Sequence, residues 1–316
     1  MKFLKDFKEI KGDASFRKFY RNTKKNSIIV FANKEKIKNL LIYDSINKIL
    51  IKNNIIAPKL FSQNYKKNYI EIQDLGNKTI YQLFVNHNKN HYLIFKKVIN
   101  VLNNIQLIRD KKIKNFRNKF YKIKDYKKKI LFDETRLFSD WYVPRKLTKK
   151  KINKFNNQFN KEIRLLLSKL NFRNDTFVHR DFHVSNLIIN SKKQIGLIDN
   201  QDALIGNKAY DLASLIDDVR YKTSNSLKDK AYNYYLKTNK KVDVDKFKND
   251  FDILSVLRNL KIIGIFMRLA ERDKKKKYLK LIPYAWKMID NRMSKNKVLD
   301  SLKLLLTSNF SKFLTK

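Results

Sequence analysis

Three oxygen-bearing side chains stand at short intervals near the middle of the chain. Asp181 is followed five residues later by Asn186, and Asp199 comes thirteen residues after that. Phosphoryl transfer needs a base that orients the attacking hydroxyl, and metal ligands that neutralise charge on the phosphates. Asp181 would be the base, while Asn186 and Asp199 would hold Mg²⁺ through hard oxygen atoms. These residue types and this spacing indicate a phosphotransferase site.

Short β-type runs surround these three residues. They cover residues 176–178, 187–189 and 194–198. Asp and Asn also favour turns, so each residue alone would be read as an ordinary loop residue. The combined spacing, with strands on both sides, favours the functional interpretation.

Other polar residues near this segment have open roles. His179 is expected to organise the loop through backbone hydrogen bonds rather than to act as an acid or base. His183 would touch phosphate or substrate, or would cap the loop. Arg180 would face substrate or pair with an acid. Asp211 precedes an apolar-periodic segment, where it would cap a helix and also support the catalytic loop.

Composition limits the classes of protein that this chain can belong to. It has 316 residues, 43% of them hydrophobic, and no cysteine. This is enough for a sizeable core, divided into two lobes rather than one. Disulfides, thiolate zinc sites and cysteine nucleophiles are excluded. No apolar run approaches the ~18 residues of a membrane span, and the beginning lacks a signal-peptide pattern. The expected location is the cytoplasm.

The chain is strongly basic, with a net charge of +43. Such a charge suggests a nucleic-acid or anionic-membrane partner. The lysines are spread over the whole chain, however, and lysine, asparagine and isoleucine are abundant while glycine is scarce. We therefore favour a solvated surface shaped by compositional drift, with nucleic-acid binding as a weaker alternative.

Hydrophobic periodicity divides the chain into a β-rich beginning and a helical remainder. Strand-like runs and one helical pattern cover residues 13–32, 35–52, 59–63 and 68–73. From Thr79 onward, apolar residues recur at helical steps of three and four, interrupted by the β-rich segment around Asp181. We expect a small N-terminal nucleotide-binding lobe, residues 1–75, and a larger catalytic and substrate lobe, residues 76–316. A nucleotide cleft would lie between them.

Two of the five glycines suggest backbone constraints. Gly12 opens the first β turn, where backbone N–H groups could meet phosphate oxygens. Alone, a glycine before a strand more often marks only a turn. Gly264 interrupts a helical pattern and is expected to allow close helix packing.

Longer motifs connect these features with a known family. Residues 179–187 (HRDFHVSNL), 196–203 (GLIDNQDA) and 209–212 (AYDL) resemble the aminoglycoside phosphotransferase/choline kinase superfamily. Residues 12–17 (GDASFR) and 73–76 (QDLG) resemble, more narrowly, the bacterial anomeric amino-sugar kinases. Those enzymes phosphorylate C1 of N-acetylmuramate and N-acetylglucosamine during cell-wall recycling. The resemblance spans nearly the whole chain.

The resemblance implies an α+β, bilobal protein-kinase-like fold with a small β-rich N-lobe and a larger, mainly helical C-lobe. It implies ATP and Mg²⁺ as cofactors and a sugar hydroxyl as acceptor. It also implies roles for individual residues: Asp181 as base, Asn186 and Asp199 as metal ligands, Gly12 and Ser15 at the ATP phosphates, Gln73 to Leu75 at adenine, and His183, Asp202 and Arg180 near the acceptor.

Two departures from the protein-kinase pattern stand out. Asp199 is followed by Asn200 and Gln201, where protein kinases have Phe-Gly. The second β run, residues 28–32, contains no lysine, although Lys34 and Lys36 follow it. We therefore assign no phosphate-binding lysine.

Two alternative functions remain open at this point. One is a kinase for another small alcohol, such as an aminoglycoside, choline, ethanolamine or a hydroxy amino acid. A cationic acceptor would need an acidic pocket, which is harder to build from 29 acidic residues. The other is a non-catalytic kinase-fold protein that binds RNA or anionic lipid through its basic surface. The sequence leaves the oligomeric state undetermined.

Overall fold

The computed structural model describes residues 6–10, 17–86 and 90–314. The chain forms two compact units. The first comprises residues 1–124 and 176–205, and the second comprises residues 125–175 and 206–316. The lobe boundary expected between residues 75 and 76 stays a prediction. No helix in the described part of the chain is both long and apolar enough to cross a membrane.

A five-stranded antiparallel sheet, in the order β1-β2-β3-β5-β4, dominates the beginning of the first unit. Its strands are β1 (Phe7–Ile10), β2 (Lys18–Asn22), β3 (Ser27–Phe31), β4 (Leu60–Asn64) and β5 (Tyr69–Gln73). Helix α1 (Lys38–Lys52) packs on one face through Leu40 and Tyr43, which join Val30 and Ile70 in a buried cluster. Alternation of inward and outward side chains along β3 and β5 produces this face.

The rest of the first unit contains two helices and three short strand pairs. These elements are α2 (Ile80–Asn86), α3 (His91–Gln106), β6 (Lys112–Lys114), β7 (Phe120–Lys122), β8 (Thr176–Val178), β9 (Leu187–Ile189), β10 (Ile195–Leu197) and β11 (Leu204–Gly206). The pairs are β6 with β7, β8 with β11, and β9 with β10. The three strand-like runs expected around Asp181 correspond to β8, β9 and β10.

Backbone hydrogen bonds fix the β9–β10 hairpin within this unit. Leu187 lies opposite Leu197 in the antiparallel register. The backbone N–H of Leu197 donates to the carbonyl of Ile56 at 2.8 Å, and that of Ile189 donates to the carbonyl of Lys78 at 2.8 Å. The hairpin is therefore anchored both to the segment after α1 and to the segment just before α2.

Helices make up the second unit. They are α4 (Lys128–Thr135), α5 (Lys149–Ser168), α6 (Ala209–Ile216), α7 (Asn225–Thr238), α8 (Val244–Glu271), α9 (Ile282–Met293) and α10 (Asp300–Phe310). The long helix α8 is largely buried and contacts α4, α6 and α9. At Gly264 an added Cβ would overlap the backbone of Leu137 and Phe138. The expectation that Gly264 permits close packing is confirmed.

A buried charged cluster lies inside the second unit. Asp217 accepts hydrogen bonds from Lys228 at 2.8 Å, from Arg292 at 2.8 Å and from Ser255 at 2.6 Å. Although burial opposes its ionisation, the charges and hydrogen bonds of Arg292 and Lys228 hold the pKa of Asp217 well below its usual range. The cluster joins the end of α6 to α7, α8 and α9.

Candidate active site

The loop between β8 and β9 is organised around the imidazole of His179, which is fully buried. Its Nδ1 accepts the backbone N–H of Asp181 at 3.3 Å. Its Nε2 lies 2.8 Å from Oδ1 of Asn200. Since Nδ1 accepts, the network assigns the proton to Nε2, which donates to the amide oxygen. The ring thus fixes the backbone of Asp181.

Asn186 closes the same loop from its other end. Its side-chain Nδ2 donates to the carbonyl oxygen of Asp181 at 3.1 Å and lies 3.3 Å from Nε2 of His183. The backbone carbonyl of Asn186 accepts the backbone N–H of Ile198 at 3.1 Å. Asn186 therefore ties the loop that carries Asp181 to the segment that leads into Asp199.

Asp199 follows β10 and has a left-handed backbone, with φ 64° and ψ 38°. Few residues other than glycine adopt this conformation, and those that do are often found at functional sites. Its Oδ1 accepts hydrogen bonds from Arg17 at 2.7 Å and from Nε2 of Gln201 at 3.2 Å. The carboxylate is held between a buried cation and a buried amide.

Asn200 connects this segment to helix α1. Besides its bond to His179, its Nδ2 donates to Oδ1 of Asn47 at 2.9 Å. Asn47 in turn donates to the carbonyl of Pro58 at 3.1 Å. The side chains of His179, Asn200 and Asn47 are all buried. Asn200, at the position that protein kinases fill with an aromatic residue, is thus part of a chain of polar side chains that runs from the β8–β9 loop to α1.

Arg180 and Asp202 lie together. Nη1 of Arg180 donates to the carbonyl oxygen of Asp202 at 3.0 Å, and Oδ2 of Asp202 accepts from Gln201 at 2.9 Å. Arg180 also has a left-handed backbone, with φ 74°. Burial raises the pKa of Tyr121 in β7, and the charge of Asp202 raises it further. Asp202 itself is exposed.

The segment expected to meet adenine follows β5. Gln73 ends that strand, and its backbone N–H donates to Lys59 at 2.8 Å. Leu75 is buried beside Gly196, where an added Cβ would lie 3.0 Å from Cδ1 of Leu75. Between them, Asp74 is ion-paired with Arg21 and accepts the N–H of Gly76 at 2.8 Å. Gly76 has φ 98°, which favours glycine.

Three further residues were expected to contribute to the site: Gly12, Ser15 and Asp211. Gly12 and Ser15 lie outside the described residues, so their expected phosphate contacts stay predictions. Asp211 is buried in the first turn of α6, in the second unit. It does not occupy the cap position, which belongs to Lys208, so the helix-cap expectation was off by three residues. Its supporting role stays a prediction.

Two residues of this site had no role in the sequence interpretation. Arg17 belongs to a recognised motif, but nothing local indicates that it pairs with a residue 182 positions away. Tyr43 lies in α1, with its ring 5.6 Å from the guanidinium carbon of Arg17. Burial raises the pKa of Tyr43 to about 12, with Arg17 opposing the rise and Asp199 adding to it. Its helical, apolar surroundings in sequence indicate only a core residue.

A known enzyme resembles the chain over nearly its full length. The N-acetylmuramate/N-acetylglucosamine kinase of Pseudomonas aeruginosa is 26% identical over 304 residues, which covers 94% of this chain and 86% of that protein.

Two solved structures illustrate the fold that this chain shares with known proteins. A choline/ethanolamine kinase family protein from Mesorhizobium loti has a TM-score of 0.63 at 9% identity, with 96% of this chain and 93% of that chain covered. An ADP-bound aminoglycoside phosphotransferase has a TM-score of 0.61 at 14% identity, with 91% and 96% covered. At these identities the likeness concerns the fold, and it confirms the expected α+β, bilobal kinase-like fold.

A family model settles the family. The model described as the phosphotransferase enzyme family matches residues 6–243, which is more than half of the chain. This range includes the loop between β8 and β9, the segment of Asp199 and helix α6. The motif resemblance to aminoglycoside phosphotransferases and choline kinases is thereby confirmed. The chain is a small-molecule kinase and belongs to the phosphotransferase enzyme family.

Proposed function

We propose that this kinase transfers the γ-phosphoryl group of ATP to the anomeric hydroxyl of an N-acetylated amino sugar, either N-acetylmuramate or N-acetylglucosamine. Support for the acceptor comes from the name of the relative in Pseudomonas aeruginosa, whose likeness covers 94% of this chain. Support for ATP comes from the ADP-bound structural neighbour.

The observation that carries the proposal is the pair of bonds made by Asn186. One joins its side chain to the carbonyl of Asp181 at 3.1 Å. The other joins its backbone carbonyl to Ile198 at 3.1 Å, one residue before Asp199. An acid that could orient a hydroxyl and two oxygen donors for a cation therefore come from one connected piece of backbone.

In this proposal Asp181 orients the acceptor hydroxyl and receives its proton. The anomeric hydroxyl is more acidic than an ordinary alcohol, so a carboxylate is a sufficient base. The bonds of His179 and Asn186 to the backbone of Asp181 would hold that carboxylate in place. Such support matters because small displacements of a catalytic group reduce its contribution strongly.

Asp199 and Asn186 are the residues that would hold Mg²⁺. Nδ2 of Asn186 is engaged as a donor, which leaves the oxygen end of the amide to face a cation. Among the described residues, no three His, Asp or Glu side chains cluster to hold a metal. A site of one carboxylate and one amide suits Mg²⁺, which usually takes one or two protein carboxylates and completes its coordination with substrate phosphates. When bound, the ion would neutralise charge on those phosphates.

The remaining roles follow the motif resemblance. Gln73 and Leu75 would meet the adenine ring, and Gly12 and Ser15 would approach the phosphates. His183, Arg180 and Asp202 would line the acceptor side. The closeness of Arg180 to Asp202, at 3.0 Å, supports a shared role for that pair.

A substrate panel tests the proposal. The full chain is mixed with Mg-ATP and, separately, with N-acetylmuramate, N-acetylglucosamine, an aminoglycoside, choline and ethanolamine, and ATP consumption is followed. The proposal predicts consumption that depends on one or both amino sugars. Consumption that depends only on a cationic acceptor would replace the amino-sugar assignment. Thermal shifts give a second readout, since a ligand that binds the folded state raises Tm.

A further inference from the structure

Arg17 forms an ion pair with Asp199, one of the two proposed metal ligands. Its Nη2 lies 2.7 Å from Oδ1 of Asp199, and its side chain is only 3% exposed. Burying a guanidinium is costly unless an anion lies beside it. For Arg17 this anion is the carboxylate of Asp199. Within the described residues of the first unit, Arg17 is the one buried lysine or arginine.

Arg17 stands directly before strand β2. The pairing of β2 with β3 ends where Lys18 lies opposite Phe31. Ala32 is small and buried. Strand β3 contains no lysine, and the two lysines that follow it, Lys34 and Lys36, are exposed. Strand β3 therefore supplies no cation here, and the guanidinium that reaches Asp199 comes from the residue before β2.

Two aromatic rings hold the guanidinium in place. Its central carbon lies 5.6 Å from the ring centre of Phe19 and 5.6 Å from that of Tyr43. Contacts of this kind stabilise a guanidinium over a ring face and fix its orientation. Asp199 and the two rings therefore restrict the orientation of the guanidinium.

We propose that Arg17 donates hydrogen bonds to the phosphate oxygens of the bound nucleotide, and so replaces the lysine that β3 lacks. This inference rests on the proposed function, because it requires a nucleotide whose phosphates lie beside Asp199. A guanidinium has five N–H donors in a planar fork, so it can bond to a carboxylate and to phosphate together. Arg17 would then link Asp199 to the phosphates.

A rival explanation assigns Arg17 a purely electrostatic role. In that case Arg17 neutralises Asp199 until a metal ion arrives, and it competes with the ion. The two explanations predict effects of opposite sign. Removal of a competitor would tighten the binding of Mg-nucleotide, whereas removal of a phosphate ligand would weaken it.

The experiment measures nucleotide binding without any acceptor. Calorimetry compares Mg-ADP with adenosine, and Mg-GDP with guanosine, for the wild-type chain, Arg17→Gln, Arg17→Lys and Lys18→Ala. Lys18 is a matched control because it is an exposed cation on the same strand, one residue away. The nucleosides lack phosphates, so they report the base site alone.

We expect Arg17→Gln to weaken diphosphate binding by about 10- to 100-fold, the range for loss of a charge-assisted hydrogen bond, with nucleoside binding unchanged. Arg17→Lys should recover a large part of the loss, and Lys18→Ala should match the wild type. Unchanged or tighter diphosphate binding by Arg17→Gln would overturn the inference. Equal losses for diphosphate and nucleoside would overturn it as well, because Arg17 would then only support the fold.

These outcomes separate the inference from the proposed function. If the wild-type chain binds the diphosphate, the assignment of a nucleotide site stands, whatever the effect of Arg17→Gln on that binding. The choice of acceptor sugar has no influence on the result, because no sugar is present. A wild-type chain that binds no diphosphate would remove both the nucleotide assignment and this role of Arg17.

Discussion

His179 and Asn200 are joined by a buried hydrogen bond of 2.8 Å between Nε2 of the ring and Oδ1 of the amide. On its other side the ring accepts the backbone N–H of Asp181 at 3.3 Å. One imidazole therefore connects the proposed base with the segment that begins at Asp199. The conformations of the two segments are coupled through this ring.

Replacement of His179 by alanine should reduce kcat more than it changes the KM for nucleotide. The change leaves Oδ1 of Asn200 buried without its donor, which costs about 1–3 kcal/mol in the free energy of unfolding. Steady-state kinetics and thermal unfolding measure the two effects. His91→Ala, a change in helix α3, serves as the control. A loss of Tm with an unchanged kcat would show that the ring has only a structural role.

Asp181→Asn should fold and bind nucleotide normally but lose most of its turnover. General-base catalysis contributes about 10²- to 10⁴-fold, so a loss in that range is expected. Asp6→Asn is the matched control, because Asp6 is an exposed acid within the same unit and has no role in the proposal. Turnover by Asp181→Asn close to that of the control would contradict the role of Asp181 as base.

Asp199→Asn should raise the Mg²⁺ concentration needed for nucleotide binding. Loss of even a supporting partner at a metal site costs about 10- to 100-fold in metal affinity, and a ligand should matter at least as much. Calorimetric titration of nucleotide at several Mg²⁺ concentrations measures the change. If the Mg²⁺ dependence stays the same, Asp199 is not a metal ligand.

Gly264→Ala should destabilise the second unit clearly more than Gly196→Ala destabilises the first. The added methyl at Gly264 meets the backbone of Leu137 and Phe138, which cannot rotate away. At Gly196 it meets side-chain methyl groups rather than backbone, namely Cγ2 of Ile56 at 2.9 Å and Cδ1 of Leu75 at 3.0 Å. Overpacking costs about 1–3 kcal/mol, which exceeds the gain of up to ~1 kcal/mol from the better helix former. Chemical denaturation measures the loss in the free energy of unfolding for each variant. A larger loss for Gly196→Ala than for Gly264→Ala would contradict the prediction.

The buried carboxylate of Asp217 predicts a loss of stability in acid. Its folded pKa lies below the unfolded value because Arg292 and Lys228 outweigh the effect of burial. Such a group stabilises the fold above its unfolded pKa, about 4, and this contribution is lost as the pH falls toward the folded pKa. Urea unfolding between pH 7 and pH 3 measures this dependence.

Asp217→Asn should remove that part of the pH dependence and cost about 3–5 kcal/mol at neutral pH. Buried Lys228 loses its counter-charge, and Arg292 loses its close ion pair and keeps the longer one, with Asp252 at 3.6 Å. Asp133→Asn is the control, since its ion pair with Lys129 is largely exposed. The control should stay within about 0.5 kcal/mol of the wild type. If both changes lower the free energy of unfolding equally, the buried cluster stabilises the fold no more than an exposed ion pair does.

Local patterns in the sequence predicted much of the fold. β8 and β9 match the expected runs, and helix α3 lies where the helical periodicity was predicted, after Thr79. The hairpin of β6 and β7 was missed because each strand has three residues and lysines dominate the first. Strands that short carry too little alternation to be distinguished from loop.

Contacts between distant positions were beyond the reach of sequence patterns. The bond from Asn200 to Asn47 spans 153 positions, and neither residue has a local signal for it. The ion pair of Arg17 with Asp199 spans 182 positions. Spacing within one loop is enough to predict Asp181 and Asn186 as site residues, because phosphoryl-transfer chemistry itself favours that spacing. Partners from other strands are fixed only by tertiary packing.

The most direct test of the account identifies the product. The wild-type chain is incubated with Mg-ATP and N-acetylmuramate or N-acetylglucosamine, and ³¹P NMR follows the γ-phosphorus, with Asp181→Asn measured in parallel. The account predicts a new sugar phosphate with the phosphorus at the anomeric carbon, formed by the wild type and almost absent in the variant. A wild-type chain that forms no sugar phosphate, or a variant that forms it at the same rate, would contradict the account.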